Sequence, residues 1–149
     1  MASDRRLLYL LQRAARAATA GANASTVERI GVSVTQLGTL SYLAKHAGCT
    51  ATDIAELLDL NKSAVSSMIG RLERAALVRR APNPRDGRAS LLFLTEKGQR
   101  VLTQARPVFR RAMADMTEGF SEGELATVFR FLNSLVERFG GEAETEREG

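Results

Sequence analysis

Thr50-Ala51-Thr52-Asp53-Ile54-Ala55-Glu56-Leu57-Leu58-Asp59-Leu60-Asn61-Lys62-Ser63-Ala64-Val65-Ser66-Ser67-Met68-Ile69-Gly70-Arg71-Leu72-Glu73-Arg74 spells out two short helices joined by a tight turn. Thr50 followed three residues later by Asp53 is a capping signal, and Asn61 is a natural N-cap for the second helix. Ala55 is small where the two helices would cross, Ile54 and Leu58 lie below it, and Leu60 fills the turn. Val65, Met68, Ile69 and Leu72 recur at helical spacing and face back from the second helix. This pattern predicts a helix-turn-helix, which holds one helix across a DNA backbone and the other in the major groove.

The second helix also has an outward face. At about 100° per residue, Ser63, Ser66, Ser67, Gly70 and Arg74 lie opposite the apolar stripe, with Lys62 and Arg71 on the flanks. Three serines and a glycine are poor helix formers, and a merely solvated face usually carries Glu–Lys pairs. Small hydroxylic residues instead let the backbone approach base edges, where a hydroxyl can donate or accept.

Outward from this core, residues 77–81 and 89–94 read as two strands. Between them Pro82-Asn83-Pro84-Arg85-Asp86-Gly87-Arg88 is dense in turn formers. Arg85 and Arg88 at such a tip would reach a narrow minor groove, while Asp86 would aim Arg88 or brace the turn. Upstream, Ser33 and Gln36 form a capping box for a helix with Leu37, Leu40, Leu43 and Ala44 inward, stopping at Gly48. Residues 4–20 read as a helix with Leu7, Leu11, Ala14, Ala15 and Ala18 on one stripe, and residues 21–32 as a connection. Thr95 starts a long helix that Pro107 should kink or split. A last helix from about Ser121 carries Leu125, Val128, Phe129, Leu132, Leu135, Val136 and Phe139, and residues 140–149 form an acidic, frayed tail.

The charge distribution supports the same centre. The chain has 149 residues and a net charge of +4. Residues 60–111 alone carry +9 and residues 112–149 carry −6. A basic region this concentrated inside a nearly neutral protein is the electrostatic footprint of a polyanion-binding face.

Leu60 to Glu73, then Leu77-Val78-Arg79-Arg80, Asp86-Gly87-Arg88 and Leu94-Thr95-Glu96-Lys97-Gly98 together resemble the multiple-antibiotic-resistance regulator (MarR) family. The resemblance spans roughly residues 5–139. It implies a mainly α protein of the α+β class, with a winged helix-turn-helix lobe and a two-stranded wing flanked by N- and C-terminal dimerisation helices. It also implies a homodimer on palindromic double-stranded DNA, acting as a repressor released by a small effector or by oxidation. Carried over by position, Ser63, Ser66 and Ser67 read the groove and Arg88 is the wing-tip arginine. Two departures bear on the operator. The family often has an arginine where Ser67 stands, and a second basic wing residue where Ala89 stands.

The expected organisation is then 4–32 as dimerisation helix and connection, 33–98 as DNA-binding lobe, 99–139 as dimerisation helices, and 140–149 as tail. Leu7, Leu8, Leu10, Leu11, Phe129, Phe131, Leu132, Leu135 and Phe139 exceed what a small lobe needs to cover itself. An isologous interface between these helices would set two recognition helices about one DNA turn apart. The resemblance also implies an effector pocket between the dimerisation helices and the lobe. Arg13, Arg16, Tyr42 and His46 are candidates to line it, an arginine suiting a carboxylate or phenolate ligand, and the effector is expected to be a small aromatic or carboxylate molecule.

Other chemistry finds little purchase. With one histidine and one cysteine, no multi-His or multi-Cys metal site can form within a chain, and no cofactor is expected. A lone Cys49 beside His46 offers a thiol sensor as one alternative, with a helix-end imidazole and an ordinary loop cysteine as the plainer reading. A winged helix reused for protein interaction is the other alternative. There is no glycine-rich phosphate loop and no Gly-x-Ser-x-Gly elbow. Asp53, Glu56 and Asp59 are accounted for by capping and solvation, so no enzyme is expected. No apolar run is long enough to span a membrane and no signal peptide is read, so the chain reads as cytoplasmic.

Overall fold

The computed structural model describes residues 5–140. The order is α1 (Arg5–Ile30), α2 (Val34–Lys45), α3 (Ala51–Leu58), α4 (Lys62–Arg74), β1 (Val78–Pro82), β2 (Ser90–Leu94), α5 (Glu96–Thr117) and α6 (Glu122–Phe139). The fold is the expected one, mainly helical with a single two-stranded antiparallel sheet. The chain divides after Ala112 into two compact units. Nine of the ten residues assigned to the acidic tail, 141–149, lie outside the described residues.

The helix starts follow the capping chemistry. Ser33 accepts the Gln36 N–H at 3.1 Å while the Gln36 side chain accepts the Ser33 N–H at 2.8 Å. Thr50 and Asp53 close the same reciprocal box, and the Asn61 side chain accepts the Ala64 N–H at 2.8 Å. Each box satisfies amides that the first helical turn leaves without partners. The turn between α3 and α4 reverses at Asp59, whose φ of 51° is left-handed, and Leu60 donates back to the Ala55 carbonyl at 3.0 Å.

Around these starts a single core closes. Leu40 and Leu43 of α2, Ile54 of α3, Val65, Ile69 and Leu72 of α4, and Val78 and Leu92 of the sheet are buried together. The buried Thr39 hydroxyl stays satisfied by the Thr35 carbonyl at 3.1 Å and lies 3.7 Å from the Met68 sulfur. The wing pairs in the register Val78↔Leu94 through Pro82↔Ser90.

Three local expectations are corrected, and of the two outcomes open for Pro107 one is removed. The segment from Gly21 to Ile30 is not a connection but the second half of α1, a continuous helix of 26 residues. Glycine costs a helix about 1 kcal/mol. Here Ala22 and Thr26 are buried just beyond it, and the Asn23 side chain accepts the Val34 N–H at 2.8 Å. Tertiary packing therefore outweighs propensity. Ala44 is exposed rather than inward. The core stripe of α2 runs through Leu37, Leu40 and Leu43, with Thr39 instead of Ala44 completing it. That helix ends at Lys45, and Gly48, at φ 82°, takes the reversal after it. Pro107 does not split α5. One lost backbone hydrogen bond leaves it a single helix, its first half anchored by buried Leu102 and Ala105.

One connection was not anticipated at all. The Leu92 N–H donates to the Cys49 carbonyl at 2.8 Å and Gly48 donates to the Leu92 carbonyl at 2.9 Å. The segment between α2 and α3 thus adds a one-residue bridge along the inner edge of the wing sheet. It satisfies backbone groups that an edge strand would otherwise expose.

The second unit begins at Met113. Ser121 and Glu124 close a capping box at the start of α6. None of the residues of that helix is buried, and Phe129, Val136 and Phe139 are each more than 60% exposed.

Candidate nucleic-acid interface

Helix α4 presents the two faces that its residue order implies. Val65, Met68, Ile69 and Leu72 are buried, and Lys62, Ser63, Ser66, Ser67, Arg71 and Arg74 are exposed. Gly70 lies between, and a methyl group built on it would meet only the Arg74 guanidinium, at 3.8 Å. Glycine there is not forced by crowding; it leaves the middle of the face open to close approach. The Ser63 hydroxyl donates to the Asn61 side chain at 2.9 Å. That bond places it beside the helix N-terminus, where amide groups and the dipole favour a phosphate oxygen.

The wing tip is exposed from Pro84 to Arg88. The Asp86 carboxylate accepts the Arg88 N–H at 2.9 Å, and the Asn83 side chain accepts the Arg85 N–H at 3.0 Å. These are local turn-closing bonds of the Asx type. Of the two roles considered for Asp86, bracing the turn is the one its geometry performs. A carboxylate occupied this way keeps a fixed place while the two arginine side chains extend from the tip.

Not every basic group of residues 60–111 is available. The Arg79 guanidinium sits 4.4 Å above the Phe93 ring, and the Arg80 Nε lies 3.0 Å from a Glu73 carboxylate oxygen. Lys97 donates to the Ala75 carbonyl at 3.0 Å. Charge counting lumps these three with the exposed cations of α4 and the wing tip. The strand register could have separated Arg79, because Arg79 stands directly opposite Phe93.

The four effector candidates fall into two groups. Arg13 lies 5.9 Å from the Tyr9 ring on α1. An open surface depression along α1 is bordered by Ala15, Arg16, Thr19, Ala20 and Asn23, all of that one helix. Tyr42 stacks on His46 at 4.2 Å between ring centroids, and Tyr42 packs against the lobe core. Among the four, only Arg16 borders that depression.

Cys49 is buried. Burial pushes its thiol pKa up, the Asp53 charge pushes further the same way, and a backbone hydrogen bond only partly opposes them. A raised pKa suppresses the thiolate that oxidant chemistry requires. Among the described residues no group of three or more His, Cys, Asp or Glu is placed to hold a metal ion, and no helix is long and apolar enough to cross a membrane.

Residues 30–89 match the model of the MarR family. The chain is 34% identical over 97 residues to the transcriptional repressor MdtR of Bacillus subtilis, a match covering 62% of this chain and 63% of that one. It thus spans less than two thirds of that relative's length. A mutant MarR from E. coli solved in complex with operator DNA superposes with a TM-score of 0.81. That match covers 89% of this chain and 94% of the other at 22% identity, a likeness of fold. A solved MarR family transcription regulator is 28% identical with a TM-score of 0.76, over 93% of this chain and 94% of that one.

Proposed function

We propose that this chain belongs to the MarR family and is a transcriptional regulator that binds double-stranded DNA through α4 and the wing. The observation that carries the reading is the two-sidedness of α4. Its inner face is closed into the core, and its outer face is small, hydroxylic and basic. Ser66, Ser67 and Gly70 contact base edges, Ser63, Lys62, Arg71 and Arg74 contact phosphates, and Arg88 with Arg85 enters the minor groove beside them. In this reading residues 33–98 are the DNA-binding lobe, and the helices outside it assemble a homodimer on a palindromic operator as a repressor. A small anionic effector would meet Arg16 on the open face of α1.

Selection from a randomised duplex pool tests the reading. A palindromic consensus is expected, with affinity falling steeply as salt rises because phosphate contacts release counterions. Arg88→Ala should weaken binding most at A·T-rich flanks. Ser66→Ala with Ser67→Ala should change the preferred bases instead. Recovery of no consensus, together with a stable protein partner in pull-downs, would replace this reading with that of an interaction module.

A further inference from the structure

Glu73 is the one acidic residue of α4, and it stands in the last turn. The helix dipole disfavours a carboxylate there, so its place needs another cause. By helical spacing it lies on the flank shared with Lys62 and Ser66, beside the outward face. Alone at that position it would be repelled by DNA phosphates. Its partner is Arg80 on β1, with Nε 3.0 Å from the carboxylate and the two side chains 38% (Arg80) and 42% (Glu73) exposed. An exposed pair of this kind contributes little to folding. What it does instead is join the recognition helix to the wing and cancel one charge of each sign. On the neighbouring strand position Arg79 is held over Phe93. Successive strand residues point to opposite faces, so the base of the wing is tethered on both.

Resting on the DNA-binding reading above, we propose that Glu73 is a specificity-determining residue. By holding Arg80 it keeps one cation from indiscriminate phosphate contact. It also fixes the wing against α4, so that Ser66, Ser67 and Arg88 meet the DNA in one register.

The test compares the full-length wild-type chain, Glu73→Gln, and the charge exchange Glu73→Arg with Arg80→Glu. Two probes are used: a duplex carrying the site the wild-type chain selects from a randomised pool, and a scrambled duplex of the same composition. Releasing Arg80 adds about one phosphate contact, so Glu73→Gln should steepen the log–log salt dependence on the scrambled duplex by about 0.9. That is roughly a threefold gain in non-specific affinity across a fourfold fall in salt. The ratio of selected to scrambled affinity should drop severalfold, and the charge exchange should restore both quantities. If Glu73→Gln lowers only the thermal midpoint and leaves slope and ratio at wild-type values, the pair is structural and the proposal is overturned. If the wild-type chain selects no site, the DNA-binding reading falls and this assignment falls with it. If it selects one and the ratio does not respond, the Glu73 assignment alone is lost.

Discussion

Ile69 on α4 is 0% exposed and Phe129 on α6 is 61% exposed, although both belong to apolar stripes of the same helical spacing. Around Ile69, four helices and a sheet close over one another, and the apolar stripe meets partners from the same unit. Around Phe129, the stripe of α6 has no buried member. A periodic pattern therefore specifies an amphipathic helix in both places, but only in the lobe does it also specify what covers the helix. Exposed apolar area of this kind marks an interaction site, and in the proposed homodimer the α6 stripe is the surface that a second copy would cover.

Substitutions can break that comparison. Ile69→Ala should cost about 2–5 kcal/mol, the range for truncating a fully buried aliphatic side chain, read as a shift of the urea midpoint. An equal cost from Phe129→Ala in a dilute sample would show that α6 is covered within its own chain. Phe129→Glu should leave lobe stability unchanged and weaken self-association by at least about a hundredfold, since symmetry places the unpaired carboxylate twice in one contact. Sedimentation over a concentration series reads this directly, and unaltered association would take α6 out of the interface.

Smaller effects sharpen the contrast. A Cβ on Gly98 would run into the Leu77 carbonyl oxygen and the Leu94 side chain. Gly98→Ala should therefore cost the lobe about 1–3 kcal/mol by overpacking, measured by thermal unfolding, with self-association untouched. The weakest effect is at the start of α6. The backbone N–H of Ser121, and then its hydroxyl, hold the Glu124 carboxyl below the ordinary carboxylate range. A depressed folded value contributes stability that is present at neutral pH. It is lost as pH falls through and below the ordinary carboxylate range. Hydrogen exchange should show the first turn of α6 opening there while α4 stays protected; Glu124→Gln should remove that acid sensitivity, and Ser121→Ala, which keeps the backbone N–H, should only reduce it.

Local chemistry in the sequence accounts for much of this fold. Ser33, Thr50, Asn61 and Ser121 announce helix starts because a cap and its amide lie within three residues of each other. The outward set on α4 follows from the same short-range geometry. What escaped depends on residues distant in the chain. Gly21 reads as a stop unless the burial of Ala22 and Thr26 is known, and the backbone bridge from Cys49 to Leu92 has no side-chain signature at all. Arg79 and Arg80 look like two more cations for DNA until the wing register and the flank of Glu73 bring their partners alongside. For the effector candidates, residue type alone put Tyr42 and His46 with Arg16. Packing puts the first two in a stack of their own.

The closure of the wing has a further consequence. Thr95 donates its N–H to the Leu77 carbonyl at 3.1 Å and its hydroxyl to the Ala76 carbonyl at 2.6 Å. The hairpin therefore leaves and re-enters the lobe through one latched doorway. Changes of tip length or composition between Pro82 and Ser90 are insulated from the core. Doubling such a loop costs only about 0.6 kcal/mol in closure entropy. The tip is thus an exchangeable part, one that mutation can swap while the scaffold behind it stays as it was.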